Sequence, residues 1–305
     1  MRKDESGKIA FDTRDLMRAA SCQHCTTISL LRTFEHAPTL AVLAPYELEP
    51  QPKTLAQKYG EDYEEQLTLE LRASVSDGVL REPEVEEFAS MSARAEATIR
   101  LMNEGVPLIY QGALISDSPT TVFRGKPDFL VRADWQLAFV DGKLTAAPIP
   151  GAEASDKYTA WDAKYGSKPK PAYALQVGLY VAALDRIGFK ADHASHGIIL
   201  GNRTLEPLTE SEVVPAMGLA RSELELAVAE AERRNASGTM DSMLEGFHWY
   251  CSAAKYCEIC EYPDLCKASR ESSLHLSLVY GIRSNQIELL ESAGIMRLDQ
   301  LAQAK

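Results

Sequence analysis

Apolar residues recur at helical spacing from residue 12 to 32, where Leu16, Ala19, Ala20, Ile28 and Leu31 share a face and Cys22 and Cys25 fall between them. That spacing predicts one helix, preceded by a loose tail over residues 1–10. Residues 34–52 are proline-rich with a short apolar run at 40–43, and read as a strand followed by a loop. A second helix is predicted over 54–73, with Leu55, Tyr59, Leu67 and Leu71 on one side. A third covers 83–103; its proline is tolerated in the first turn, and its many glutamates read as a face in water. Strand-like runs then dominate, at 107–115, 121–132, 135–140 and 158–163, with Asp141-Gly142 marking a turn and 147–157 a loop. Helical periodicity returns at 171–186 through Leu175, Leu179, Val181 and Leu184. A short apolar strand at 196–200 and a long polar–alanine helix at 219–234 follow. Helix, several strands, helix, strand is the order of an α/β core: a mixed central sheet flanked by helices.

Beyond about residue 269 the texture changes. Short helical segments at 274–282, 286–295 and 298–304 alternate with Gly281-Ile282 and Gly294-Ile295. The expected organisation is therefore an α/β domain over 1–268 and a small all-α module over 269–305.

Composition alters little. The 305 residues are 45% hydrophobic and 25% charged, ordinary for a globular chain. No apolar run reaches the ~18–20 residues of a membrane helix, and the start lacks a signal-peptide core, so a cytoplasmic protein is expected. A net charge of −12 argues against simple coating of nucleic acid, yet leaves room for a metal enzyme with a local phosphate groove. Lys164, Lys168 and Lys170 stand together where such a groove would be. There is no Gly-x-x-x-x-Gly-Lys-Ser/Thr phosphate loop, and His36, His193, His196, His248 and His275 show no metal-ligand spacing.

The chemistry concentrates between Phe123 and Tyr180. Residues two apart on a strand face the same way, so Asp162 and Lys164 project together with the Ala163 carbonyl between them. With Asp128 on a neighbouring strand, two carboxylates and a carbonyl make a hard oxygen site for Mg²⁺ or Mn²⁺. The adjacent ammonium can orient a water or steady charge on a phosphate. Gln176 and Tyr180, four apart on the following helix, share a face that can point back at this site.

Together these segments resemble the PD-(D/E)XK nucleases, in particular the RecB-like branch. Its Gly-x-x-Asp, Asp/Glu-x-Lys and Gln-x-x-x-Tyr motifs correspond to Gly125–Asp128, Asp162–Lys164 and Gln176–Tyr180. The resemblance implies a restriction-endonuclease-like core and divalent-metal-dependent hydrolysis of DNA phosphodiesters. Single-stranded DNA or DNA ends are the expected substrates, with a helicase partner in cis or in trans. It also implies a further carboxylate from an upstream Gly-x-x-His-Glu helix. Here that stretch reads Gly60-Glu61-Asp62-Tyr63-Glu64, so Glu64 is the matching acid and tyrosine stands in the histidine's place.

Six cysteines without a secretory signal point to a metal rather than to disulfides. Cys257-x-x-Cys260-x5-Cys266, with a distant cysteine near the N-terminus, resembles the iron–sulfur staple of some RecB-like nucleases. This implies a [4Fe–4S] cluster on Cys22, Cys257, Cys260 and Cys266, leaving Cys25 and Cys251 spare. The rival reading is a zinc ion on Cys22, Cys25, Cys257 and Cys260. The two Gly-Ile turns near the C-terminus resemble a helix-hairpin-helix element, whose backbone N–H groups contact a DNA phosphate. A DNA-binding scaffold with a weak or inactive site is the alternative function.

Overall fold

The computed structural model describes residues 1–46, 54–86, 89–192, 194–245, 247, 257 and 260–304. The chain divides into two compact units, one of Arg2–Met17 and Gln51–Ser222, the other of Met1, Arg18–Pro50 and Glu223–Lys305. No helix among the described residues is long and apolar enough to cross a membrane.

The N-terminal residues are not a loose tail. They form β1 (Arg2–Lys3) and β2 (Ile9–Phe11), paired antiparallel. Asp4 shapes the turn between them by accepting from the N–H groups of Ser6 and Lys8. Ile9, Ala10 and Phe11 are buried, which is what a solvated tail would forgo. The single helix expected over 12–32 is two, α1 (Thr13–Ser21) and α2 (Gln23–Thr33). Cys22 interrupts them with extended backbone, and its sulfur caps α2 by accepting the Cys25 N–H. The strand expected after residue 34 is instead α3 (Ala37–Leu43), with proline in its first turn and Thr39 and Leu43 buried.

Helix α4 (Leu55–Ser74) begins at a capping box formed by Thr54 and Gln57. After β3 (Leu80–Arg81) comes α5 (Met91–Asn103), which starts well after residue 83 because Ser90 caps it by accepting from Ala93 N–H. The strands are β4 (Leu108–Tyr110), β5 (Leu114–Asp117), β6 (Thr121–Gly125), β7 (Phe129–Arg132), β8 (Trp135–Val140), β9 (Lys143–Pro148) and β10 (Tyr158–Lys164). Then follow α6 (Pro171–Arg186), β11 (His196–Leu200), β12 (Thr204–Leu208) and α7 (Glu210–Ser237). Helix α7 begins nine residues before its polar–alanine stretch, where the Glu212 carboxylate accepts the Thr209 N–H at 2.7 Å.

A six-stranded mixed sheet runs in the order β12-β11-β10-β7-β4-β3, and a four-stranded one in the order β1-β2-β6-β5. Its alternation fixes the layers. Trp161 and Ile199 pack with Leu67 and Leu71 of α4 on one face. Ile198 and Leu200, one register position away, pack with Val177 and Val181 of α6 and Val213 of α7 on the other. Gly178 permits the close crossing of α6 and α7, since a Cβ there would stand 2.8 Å from Met217 Cβ.

Two runs expected as single strands are each split between the sheets. Residues 107–115 divide into β4 and β5, and 121–132 into β6 and β7. The breaks lie side by side, joined by the Gln111 N–H donating to the Asp128 carbonyl at 2.9 Å.

In the other unit, Cys25, Ile28 and Leu43 form a core with Tyr262 and Leu265, the latter on α8 (Pro263–Ser272). The first of the three C-terminal helices is only a 3₁₀ turn, Leu276–Leu278, anchored by the buried Leu276. It is followed by α9 (Ser284–Ser292) and α10 (Leu298–Gln303). Gly281 and Gly294 hold φ of 76° and 82°, a conformation suited to glycine.

Candidate active site

The site forms where the chain passes from one sheet to the other. Asp128 follows β6 and precedes β7, and Asp162, Ala163 and Lys164 end β10. Asp128 Oδ2 accepts the Ala163 N–H at 2.6 Å. On an extended strand the N–H and C=O of one residue point to the same edge, so the Ala163 carbonyl opens on the Asp128 side. Asp162 Oδ1 accepts from Gln176 Nε2 at 3.1 Å and lies 3.5 Å from the Tyr180 hydroxyl. Gln176 also donates to that hydroxyl at 2.8 Å, and the Tyr180 hydroxyl donates to the Lys126 carbonyl at 3.3 Å. Asp162 Oδ2 is buried without a hydrogen bond and is paired with the Lys164 ammonium.

Glycine at 125 is what lets α6 approach. A Cβ there would meet the Phe123 ring at 2.3 Å and the Tyr180 ring at 2.7 Å. Tyr180 therefore lies flush against β6 while its hydroxyl reaches the acids.

Glu64 enters from α4. Tyr110 donates to its Oε1 at 2.9 Å, and Gln111 Nε2 donates both to that oxygen and, at 3.3 Å, to Asp128 Oδ1. One amide thus spans two carboxylates. Gln111 holds a φ of 53°, strained for a residue with a side chain, and this turn is what aims its amide. Tyr110 and Gln111 carry no local sequence signal; only the adjoining of the two strand breaks gives them a role. Tyr63, in the place of the resembled histidine, is a core residue. Its hydroxyl donates to the Leu200 carbonyl at 2.5 Å, and burial pushes its pKa up to about 12.

The electrostatics are those of excess negative charge. Burial first, and then the charges of Asp162 and Glu64, push Asp128 well above the ordinary carboxylate range, against the pull of Lys164 and the Ala163 N–H. Burial alone would lower Lys164, but the carboxylates of Asp162 and Asp128 outweigh it and hold the ammonium above the usual lysine range. Burial and the Asp162 charge likewise raise Tyr180. Asp162 and Asp128 therefore share one ammonium, Glu64 adds a third negative charge beside Asp128, and a buried Asp162 oxygen lacks a hydrogen bond. That donor set fits a hard divalent cation. Among the described residues, no three His, Cys, Asp or Glu side chains already surround one point. Gln111 stands between Glu64 and Asp128, and Lys164 holds Asp162.

The cysteines gather elsewhere. Cys25 Sγ and Cys260 Sγ are 3.7 Å apart, and Cys22 packs in the same core. The hydrogen bond between the Cys25 and Cys260 sulfurs is the main cause that lowers the Cys260 pKa to about 6; the same bond, with burial, raises Cys25. Cys266 is buried on α8, Cys257 is part-exposed, and Cys251 lies outside the described residues. The contact brings in Cys25, which the iron–sulfur reading left spare.

Residues 36–267, more than half of the chain, match the family model described as the PD-(D/E)XK nuclease superfamily. No curated relative matches the sequence.

Proposed function

We propose that this chain, which belongs to the PD-(D/E)XK nuclease superfamily, is a divalent-metal-dependent deoxyribonuclease of RecB-like type working on single-stranded DNA or DNA ends in the cytoplasm. The observation that carries this is the convergence of Asp128 and Asp162 on Lys164, with Glu64 joined to Asp128 through the Gln111 amide. Asp128, Asp162 and the Ala163 carbonyl would hold Mg²⁺ or Mn²⁺, with Glu64 completing the acid set. When bound, the cation supplies Lewis acidity toward the phosphate. Lys164 orients the attacking water and offsets charge developing on the phosphate oxygens. Gln176 and Tyr180 fix Asp162 through its Oδ1, leaving Oδ2 directed at Lys164. Gln111 and Tyr110 do the same for Glu64. A helicase in cis or in trans would deliver the strand, and the C-terminal hairpin would contact its phosphates.

The thiols are read as a structural metal site. The resemblance favours [4Fe–4S] on Cys22, Cys257, Cys260 and Cys266. The contact between Cys25 and Cys260 supports zinc to the extent that it brings in Cys25, a thiol that only the zinc reading uses. An anaerobically purified iron–sulfur protein is brown; a zinc protein is colourless.

The catalytic reading is tested with end-labelled single-stranded DNA, duplex DNA and RNA in Mg²⁺ or Mn²⁺. Cleavage of single-stranded DNA by wild type and not by Asp162→Ala supports it. Cleavage that survives Asp162→Ala, or a folded wild type that cuts none of the three, overturns it in favour of a binding scaffold.

A further inference from the structure

Next in sequence to Lys164 begins an aromatic feature that catalysis does not use. Tyr165, the residue after Lys164, is 55% exposed, and Tyr59 on α4 is 50% exposed. Their rings stack on each other with centroids 5.6 Å apart and planes 23° from parallel. Tyr63 meets Tyr165 edge-on from below at 6.1 Å. Leu55, one turn before Tyr59 on α4, extends the apolar patch at 69% exposure. Half-exposed aromatic pairs forgo burial that the fold could otherwise use, and grouped exposed apolar surface marks recognition sites.

The backbone under Tyr165 is closely packed. Gly201 donates its N–H to the Gly166 carbonyl at 3.1 Å, and a Cβ at 201 would stand 1.9 Å from the Tyr165 carbonyl oxygen. The backbone under Tyr165 is thus clamped against the end of β11. Tyr63 is fixed by its bond to the Leu200 carbonyl. Directly after Tyr165 the loop carries Lys168 and Lys170, both exposed; Lys170 Nζ lies 5.9 Å from the Tyr173 ring centre. Stacked, half-exposed rings on a segment that continues directly from Lys164 and goes on to carry exposed lysines have the ingredients of a surface that binds an unpaired strand: bases on rings, phosphates on cations.

We infer that Tyr59 and Tyr165 form a stacking platform for an unpaired base of the nucleic-acid strand, making the site selective for single-stranded substrate. This rests on the nuclease reading and deepens it. Every base has a π-face, so the platform reads strandedness rather than sequence. A paired base inside a duplex offers no free face to it.

The test is binding, without cleavage. The full-length protein is titrated, with no divalent cation added, against a single-stranded oligonucleotide carrying 2-aminopurine and against a blunt duplex of the same sequence. Tyr59→Ala and Tyr165→Ala are expected to weaken single-strand binding about tenfold each, as base–aromatic stacking energies imply. They should also abolish the quenching of 2-aminopurine, while Tyr165→Phe behaves as wild type and all variants keep the wild-type melting temperature. Wild-type affinity in both alanine variants overturns the proposal. So does equal weakening toward single strand and duplex, or a change of oligomeric state with binding intact, which would make the patch a contact between copies. Because the readout needs no turnover, its failure and the failure of the Asp162→Ala test are distinguishable.

Discussion

At the residue scale the site depends on side chains whose charge or conformation is unfavourable by itself and is tolerated because neighbours fix it. Asp128 is buried beside two other acids and held by one backbone N–H and one amide. Gln111 supplies that amide from a left-handed backbone, a conformation that costs about 1–3 kcal/mol for a residue with a side chain. Replacing Gln111 with glycine should relieve the strain while freeing Glu64 and Asp128 to move apart. Gln111→Gly is therefore expected to melt within a few degrees of wild type yet lose about tenfold in kcat, read by thermal denaturation beside single-turnover cleavage. A large loss of stability with activity intact would show that the amide's role is structural.

At the scale of elements, the site follows from how strands end. Gly125 admits the Tyr180 ring against β6. Gly125→Ala should lose about 1–3 kcal/mol, the usual cost of overpacking, and lose activity as Tyr180 is displaced. A denaturant midpoint and a cleavage rate both unchanged would refute the close approach. His196, at the start of β11, accepts the Ala160 N–H of β10 through Nδ1 at 3.1 Å, and burial lowers its pKa to about 4. A lowered histidine pKa means the fold requires the neutral ring, while the unfolded chain takes up a proton below its ordinary value near 6.5. Stability from this group is therefore complete above about pH 6.5 and is lost as pH falls toward 4, with about 2 kcal/mol gone by pH 5. Urea midpoints at pH 7 and pH 5 should differ less in His196→Asn than in wild type; an equal drop in both would place the acid sensitivity elsewhere. These junctions also mark the limit of the sequence. Helix α6 and strands β8, β10 and β11 could be read from periodicity, and Asp128, Asp162, Lys164, Gln176 and Tyr180 from spacing, because each is a local signal. The splitting of two apolar runs between sheets is not local. Both halves of each run are equally apolar, so Gln111 and Tyr110 gained meaning only once the strand order was known. Cys22 carries no sequence mark as a helix breaker for a related reason: the residues around it keep helical periodicity, and only its extended backbone shows the cap.

At the scale of the whole molecule, one compact unit joins residues from near the start of the chain to residues near its end. Cys25, Ile28 and Leu43 pack with Tyr262 and Leu265, Ser29 and Tyr262 hydroxyls meet at 3.4 Å, and Arg18 pairs with Glu261. Such a unit closes a long chain loop, and a metal held by thiols from both ends would add folding free energy to it. With the proposed thiol-held metal in place, Cys260→Ser should release it, read by elemental analysis, and lower the melting temperature by several degrees. Unchanged metal content and melting would leave the thiols as ordinary core side chains. The other unit carries the acids, and the activity proposed for them is phosphodiester cleavage. Its most direct test is single-turnover cleavage of a 5′-labelled single-stranded oligonucleotide in Mn²⁺ by wild type and by Asp162→Asn, which keeps the side chain's shape and removes its charge. The expected result is cleavage by wild type and a loss of about a thousandfold or more in the variant, on the scale of removing one preorganised electrostatic group, with melting unchanged. Equal rates from the two proteins would contradict it.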